Sequence, residues 1–355
     1  MSFTCGIAGL DSAMDVLATY SMNKGRLNYI GNNCWVEIRK RLKSRDQRFF
    51  KLYDDTEPAA AAELILRDDV QSVFIEGIQN HPDMRACDLN AMATAAKQLT
   101  TDKPKYVIVD NVSTFDTDVF SFFDFDAIPG NIAIVSVVSG IKFIQYGTDR
   151  AKTGLVTIGG TGTAPGQVES DLVEARAGSG RAPSYEDVFG CAVDTPASLK
   201  GRMSRYDRNI RIMTRDLGEF CDATSGPVLH SLWSEQHPDH DRAMNDYGHG
   251  GRFLYLRLDL EGPDENALTL ELYRYIADEA ARKHLPLIAA SNFGFAIPHI
   301  HIVRHENVGV SLRLSPGSVC VSLLGCINDH LKDSIRRFLR ENGSDIVVRS
   351  ATSAN

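Results

Sequence analysis

Up to residue 224 the chain alternates between two rhythms of apolar and polar positions. At 7–22, 34–42, 59–65 and 89–99 apolar residues recur three and four apart, which predicts helices with one buried stripe. Interleaved with them are short runs lacking a polar side: SVFIEG at 72–77, KYVIVDN at 105–111, NIAIVSVVS at 131–139 and GLVTI at 154–158. A run apolar on both faces and followed by a helical pattern predicts a buried parallel strand, hence an α/β domain with a mostly parallel sheet. Sheets of this kind offer ligand sites at the carboxyl ends of their strands.

Beyond the turn SGP at 225–227 the texture changes. RFLYLRLDL, LPLIAAS, IPHIHIV and VGVSLRLS read as strands, and 265–283 and 327–339 as amphipathic helices. This predicts a smaller α+β domain over 225–355 behind a large domain over 1–224, joined at or after a helix at 198–220. Two domains suit a chain of 355 residues that is 43% apolar. A net charge of −8 speaks against a nucleic-acid partner, which requires a basic face. No apolar run approaches the roughly 18 to 20 residues that span a bilayer, so no membrane partner is expected. The start, MSFTCGIAGLDSAM, lacks the basic flank and apolar core of a secretory leader. Seven cysteines without a C-x-x-C pair fit reduced thiols, a cytoplasmic location and no metal site.

The candidate chemistry lies at the strand ends. Lys142 follows the run 132–138 after only Ser139, Gly140 and Ile141, and a buried ammonium is costly unless it is paired or its charge is removed. A second strand ends in Asp110 and Asn111. A lysine and a carboxylate at separate strand ends suit pyridoxal phosphate, whose aldehyde forms a Schiff base with lysine and whose ring nitrogen pairs with an acid. Its phosphate requires backbone N–H groups at a helix start, which the small-residue turn TCGIA at 4–8 offers.

These segments together resemble the trans-sulfuration family of fold-type I pyridoxal-phosphate enzymes, the cystathionine gamma-synthase, cystathionine lyase and methionine gamma-lyase group. VFIEGIQNHPDMRACDLNAMA is similar to the family's strand, Glu, Asn-Pro and D-L-x-A-I-A helix. KYVIVDNVSTF resembles its V-V-D-N-T-F, SGIKFIQYGTD its S-A-T-K-Y-x-x-G-H-S-D, and SLRLSPGS its I-R-L-S-x-G-x-E. LHSLWSEQHPDHDRA resembles its P-x-L-x-x-H-P-x-H-x-x-A. The resemblance implies that Lys142 carries the cofactor and moves the Cα proton, that Asp110 faces the ring nitrogen and that Asn80 bonds the ring hydroxyl. It implies that Gly6, Ile7 and Ser139 hold the phosphate, and that Arg313 and Ser291 bind the substrate, Arg313 through the α-carboxylate. Tyr29 stands nearest to the ring-stacking tyrosine of the family's Y-G-G-T, one place out, and is the further catalytic candidate. The implied activity is elimination or replacement at Cβ or Cγ of a sulfur-containing or otherwise substituted amino acid, by a homodimer or homotetramer.

Departures from the family pattern define an alternative. Ile141 stands where a phosphate-binding Thr is usual, His81 is inserted before Pro82, and Ser318 replaces the acid after S-x-G. As given, the chain starts at the phosphate loop, without the family's preceding Tyr and Arg. A degenerate relative without cofactor, serving as a binding or scaffold subunit, is therefore the second expectation. Four other stretches receive structural readings. His299 and His301 are read as strand packing, HPDHD at 237–241 as a helix start, GGTGTAPGQ at 159–167 as a loop, and RKRLKSR at 39–45 as a solvated helix face.

Overall fold

The computed structural model describes residues 1–34, 36–43, 45–140, 153–184, 195–261, 265–290, 295–305, 308–342 and 347–348. By its contacts the chain divides into two units, one of Met1–Gln145, Asp149–Val193 and Asp241–Gly248, the other of Tyr146–Thr148, Asp194–His240 and His249–Asn355.

The first unit is built on a seven-stranded sheet in the order β1-β7-β6-β5-β4-β2-β3. Its elements along the chain are β1 (Ser2–Phe3), α1 (Gly6–Lys24), β2 (Leu27–Gly31), α2 (Val36–Lys43), β3 (Phe50–Tyr53), α3 (Ala60–Ile65) and β4 (Val70–Glu76). They continue with α4 (Leu89–Lys97), β5 (Lys105–Asp110), β6 (Ile132–Ser139), β7 (Gly154–Thr161) and α5 (Ala164–Gly178). Strands β3, β2, β4, β5 and β6 run parallel, and β4 and β5 are buried at every position, as runs without a polar side require. The α/β class and the parallel core are as expected.

Two expectations need correction. GLVTI is not a parallel strand: β7 pairs antiparallel with β6 in unbroken register from Ile132↔Thr161 to Ser139↔Gly154. Its alternation shows why, since Val156 is buried and Leu155 is 42% exposed, the pattern of a strand with one wet face. Nor is 159–167 a loop, because β7 continues to Thr161 and α5 starts at Ala164. Pro165 lies in its first turn, where a missing N–H costs nothing, and Val168 and Leu172 are buried one turn apart.

Helix α1 ends in a left-handed Gly25 (φ 65°), whose N–H bonds the Ser21 carbonyl at 2.8 Å. One flank packs Leu10, Met14 and Leu17 with Ile30, Phe74, Ile108 and Val135 of the sheet. Another carries ion pairs. Asp11, only 6% exposed, takes Arg41, Arg45 (2.8 Å) and Arg181 (3.3 Å), while Asp15 takes Arg45 and Arg181 (2.7 Å). The basic run 39–45 is thus, at Arg41 and Arg45, a paired seam onto α1 rather than a solvated face.

The second unit opens with α6 (Pro196–Asp222), capped by Thr195, whose side chain accepts from Ser198 N. A five-stranded sheet follows in the order β11-β12-β13-β9-β8, from β8 (Pro227–His230), β9 (Leu254–Leu258), β11 (Ile288–Ala289), β12 (His299–His305) and β13 (Gly309–Ser315). A separate pair joins β10 (Leu260–Glu261) to β14 (Val347–Val348). Helices α7 (Glu265–Arg282) and α8 (Val321–Glu341) complete it, and the helix at 240–242 matches the expected helix start. Helix α8 begins six residues ahead of the expected start at 327, its first turn carrying the exposed Val321 (47%) and the buried Leu324. Among the described residues no helix is long and apolar enough to cross a membrane.

Asp11 is the keystone of the seam, so Asp11→Ala takes one carboxylate from three guanidinium groups and leaves Asp15 to hold two of them. Because Arg41 remains partly solvated, the expected loss is about 2 to 3 kcal/mol, below that of a fully buried pair. Urea unfolding of the two proteins measures it; an unchanged midpoint would mean that solvent already screens the network.

Candidate active site

Three strands of the parallel core end in polar residues. β4 ends in Glu76, β5 in Asp110 and β6 in Ser139, all buried. Glu76 is in register with Asp110, and Asp110 with Val137. Partners in register share a sheet face, as do residues two apart on one strand. Val137 faces α1, since a Cβ built on Gly9 of that helix lies 3.3 Å from Val137 Cγ1. Glu76, Asp110 and Ser139 therefore all face the side on which α1 starts. Backbone donors orient the two acids: Asn80 N–H donates to Glu76 Oε2 at 2.8 Å and Val112 N–H to Asp110 Oδ1 at 3.0 Å. The first of these folds the turn that carries Asn80 back over the strand end.

The start of α1 is pressed against β6. A Cβ on Gly6 would lie 2.9 Å from Ser139 Cβ and 3.0 Å from its Cα, and one on Gly154 would lie 2.2 Å from the Cys5 carbonyl oxygen. No side chain fits at either place. Ala8 and Gly9 N–H donate to the Cys5 carbonyl at 3.1 and 3.2 Å. Gly6 and Ile7 N–H have no acceptor among the described residues, Cys5 makes no side-chain cap, and the first turn holds no acid. Two open donors at the positive end of a 19-residue helix, beside the Ser139 hydroxyl, fit a phosphate group. Asp110, an acceptor on the same face, is of the kind that would hold the ring nitrogen of pyridoxal phosphate, as the open N–H groups would hold its phosphate.

Lys142 and Ser291 lie outside the described residues. The stretch carrying Lys142 is flanked by paired backbone, since Gly140 N–H donates to the Thr153 carbonyl at 2.8 Å. Tyr29 is not brought to the strand ends. It sits mid-strand in β2, one residue from Ile30, whose register partner Phe74 shares a face with Glu76. Tyr29 thus points to the opposite face, with the Arg67 guanidinium 5.5 Å from its ring centroid.

One acid at these ends went unread in the sequence. Asp55 follows β3 and accepts the Asn33 N–H at 2.9 Å. A Cβ on Gly31 would fall 2.1 Å from Asp55 Oδ2, so the end of β2 is kept bare for it. Burial pushes its carboxyl up to about 6, against the opposing Asn33 hydrogen bond. The Cys34 thiol and the Tyr53 phenol beside it are pushed up by burial, with the Asp55 and Glu76 charges adding to the effect. The doublet Asp54-Asp55 after an aromatic run was the available signal.

In the second unit Arg313 sits in the middle of β13, 4% exposed. Its guanidinium hydrogen-bonds Tyr255 and lies 5.8 Å from the Phe253 ring centroid. His299 and His301 lie two apart on β12, in register with Ser315 and Arg313. Among the described residues no group of three or more His, Cys, Asp or Glu is arranged to hold a metal ion.

No protein-family profile and no curated protein matches the chain. Solved structures do. Cystathionine gamma synthase from Xanthomonas oryzae pv. oryzae in complex with cystathionine matches 96% of this chain and 82% of its own at 17% identity, with a TM-score of 0.71. A methionine gamma lyase from Micromonospora echinospora matches 94% and 81% at 15% identity, TM-score 0.70. Cystathionine gamma-lyase from Lactobacillus plantarum complexed with L-serine matches 95% and 82% at 16% identity, TM-score 0.70. The chain has the fold of these enzymes along nearly its whole length, the fold-type I architecture that the sequence resemblance implies.

A carboxyl raised by burial binds its proton more tightly in the folded than in the unfolded chain. Its contribution to stability is therefore present at low pH and is lost as pH rises from the ordinary carboxylate range through about 6. Asp55→Asn keeps an acceptor for Asn33 and abolishes the titration. Thermal unfolding at about pH 5 and about pH 8 should show the wild type losing more stability than the variant over that interval. Equal losses would place the Asp55 carboxylate in water.

Proposed function

We propose that this chain is a pyridoxal-phosphate enzyme acting on a sulfur-containing or otherwise β- or γ-substituted amino acid, by elimination or replacement. The observation that carries the reading is the convergence, on one sheet face, of the open Gly6 and Ile7 N–H groups, Ser139 and Asp110. In this reading Gly6, Ile7 and Ser139 hold the phosphate, Asp110 faces the ring nitrogen and Asn80 the ring hydroxyl. The bound cofactor would supply an electron sink for a carbanion at the substrate Cα. Lys142 would fasten the cofactor and then carry the proton away from Cα. Glu76 acts earlier, by fixing the turn from which Asn80 projects. Arg313, with Ser291, would hold the substrate α-carboxylate, a planar target that suits a guanidinium. Tyr29 is given no step, its ring lying on the other face. The matched structures support the reading through their fold, and the cystathionine and L-serine bound in two of them are of the substrate class proposed. Assembly as a homodimer or homotetramer belongs to the proposal and is carried by the sequence resemblance.

Purified protein supplied with the cofactor should show an absorption band at about 420 nm that borohydride bleaches. Lys142→Ala should lack the band, and Asp110→Asn should retain the cofactor less well. A wild type that stays colourless would overturn the reading in favour of a fold kept for binding alone. Incubation with cystathionine, methionine, O-acyl homoserine and S-adenosylmethionine, followed by mass spectrometry, identifies the substrate.

A further inference from the structure

The histidines of IPHIHIVRH have no part in the function proposed above. His299 is committed to the fold: its Nδ1 bonds the Ile297 carbonyl at 2.5 Å and its ring centroid lies 4.9 Å from that of Phe295. His301 differs, being half-buried and without a hydrogen bond among the described residues. Strand register sets it directly opposite Arg313, and Arg313 opposite Tyr255, so imidazole, guanidinium and phenol form one row across β12, β13 and β9. Side chains opposed in this way have Cβ atoms about 4.5 to 5.5 Å apart.

At that spacing a protonated imidazole and a guanidinium repel each other. Burial, and then the Arg313 charge, push the His301 ring down to about 4, so it is neutral at neutral pH. A metal ion on the neutral ring would meet the same repulsion from Arg313, which removes the metal reading of the pair. An anion reverses the sign. Placed between the two groups, a carboxylate accepts from both and favours the imidazolium it would otherwise never meet.

We propose that His301 and Arg313 form a two-sided clamp for a carboxylate, with His301 taking up one proton from water as the carboxylate enters. The proposal rests on the carboxylate role given to Arg313 above and deepens it by adding the second donor. The carboxylate stays ionised, and the added proton resides on the imidazole. The other titratable groups of the surroundings do not supply that proton's counter-charge. They are His299 on the same strand, Tyr255 on β9 and Tyr206 on α6, which bonds Ser315.

The test uses the full chain with butyrate as probe and butyramide as its uncharged counterpart. Histidine ring resonances are followed by NMR against pH, with His301 identified by its loss in His301→Gln. Saturating butyrate should raise the His301 midpoint by at least about one pH unit, and butyramide should not. For the butyrate anion, affinity should rise from pH 7 to pH 5 by about twofold if the midpoint moves one unit and about tenfold if it moves two, stay flat in His301→Gln and vanish in Arg313→Gln. Arg313→Lys, which keeps the charge, guards against a folding failure in the last variant and should retain a reduced midpoint shift. An unmoved His301 midpoint, or a shift that butyramide or Arg313→Gln reproduces, overturns the clamp. A chain that takes cofactor at Lys142 yet shows no His301 response sinks the clamp alone; a colourless chain that shows the response sinks the functional proposal alone.

Discussion

The first unit depends on how closely the start of helix α1 approaches the sheet. Gly6 and Gly154 leave room for backbone alone, and the space that a methyl group would fill is taken by Ser139 and by the Cys5 carbonyl. Glycine costs conformational entropy in a helix, by roughly 0.5 to 1 kcal/mol relative to alanine, and that cost is accepted here for proximity. The result is mechanical as well as chemical. Two backbone donors arrive beside a strand-end hydroxyl without any side chain having to be oriented, so they are held as firmly as the helix itself.

That rigidity is secured from a second direction. Apolar packing fixes the depth of α1 on the sheet, but packing is tolerant of small slides along the helix axis. Ion pairs from Asp11 and Asp15 to Arg41, Arg45 and Arg181 tie α1 to α2 and to the segments following α2 and α5, which opposes such slides. Directional contacts of this kind contribute more to register than to net stability, because desolvation offsets much of their attraction.

The parallel core was legible in the sequence because β4, β5 and β6 are apolar on both faces and are flanked by helical patterns. From it the positions of Asp110 and Ser139 followed, since ligand chemistry gathers where such strands end. β2 was not legible. Its Asn28 is 1% exposed, yet it reads as a surface residue in any polarity pattern. Ser21, Ser72 and Gln71 satisfy it at 2.8, 2.7 and 3.2 Å, a network assembled from α1 and β4. Tyr29 illustrates the same limit at finer scale. One place along a helix turns a side chain by about 100°, but one place along a strand sends it through the sheet to the far side. Asp55 escaped notice because a carboxylate after a short strand looks like a turn, and its burial is visible only once Gly31 is seen to make way for it.

The borders of the large sheet carry a consequence for assembly. One border is β1, two residues long; the other is β3, four residues with the exposed Lys51 at its second position. Brief or lysine-bearing rims offer few free backbone groups to an incoming strand. At these two rims the chain has little backbone with which to lengthen the large sheet, which favours contact between copies there through side-chain surfaces.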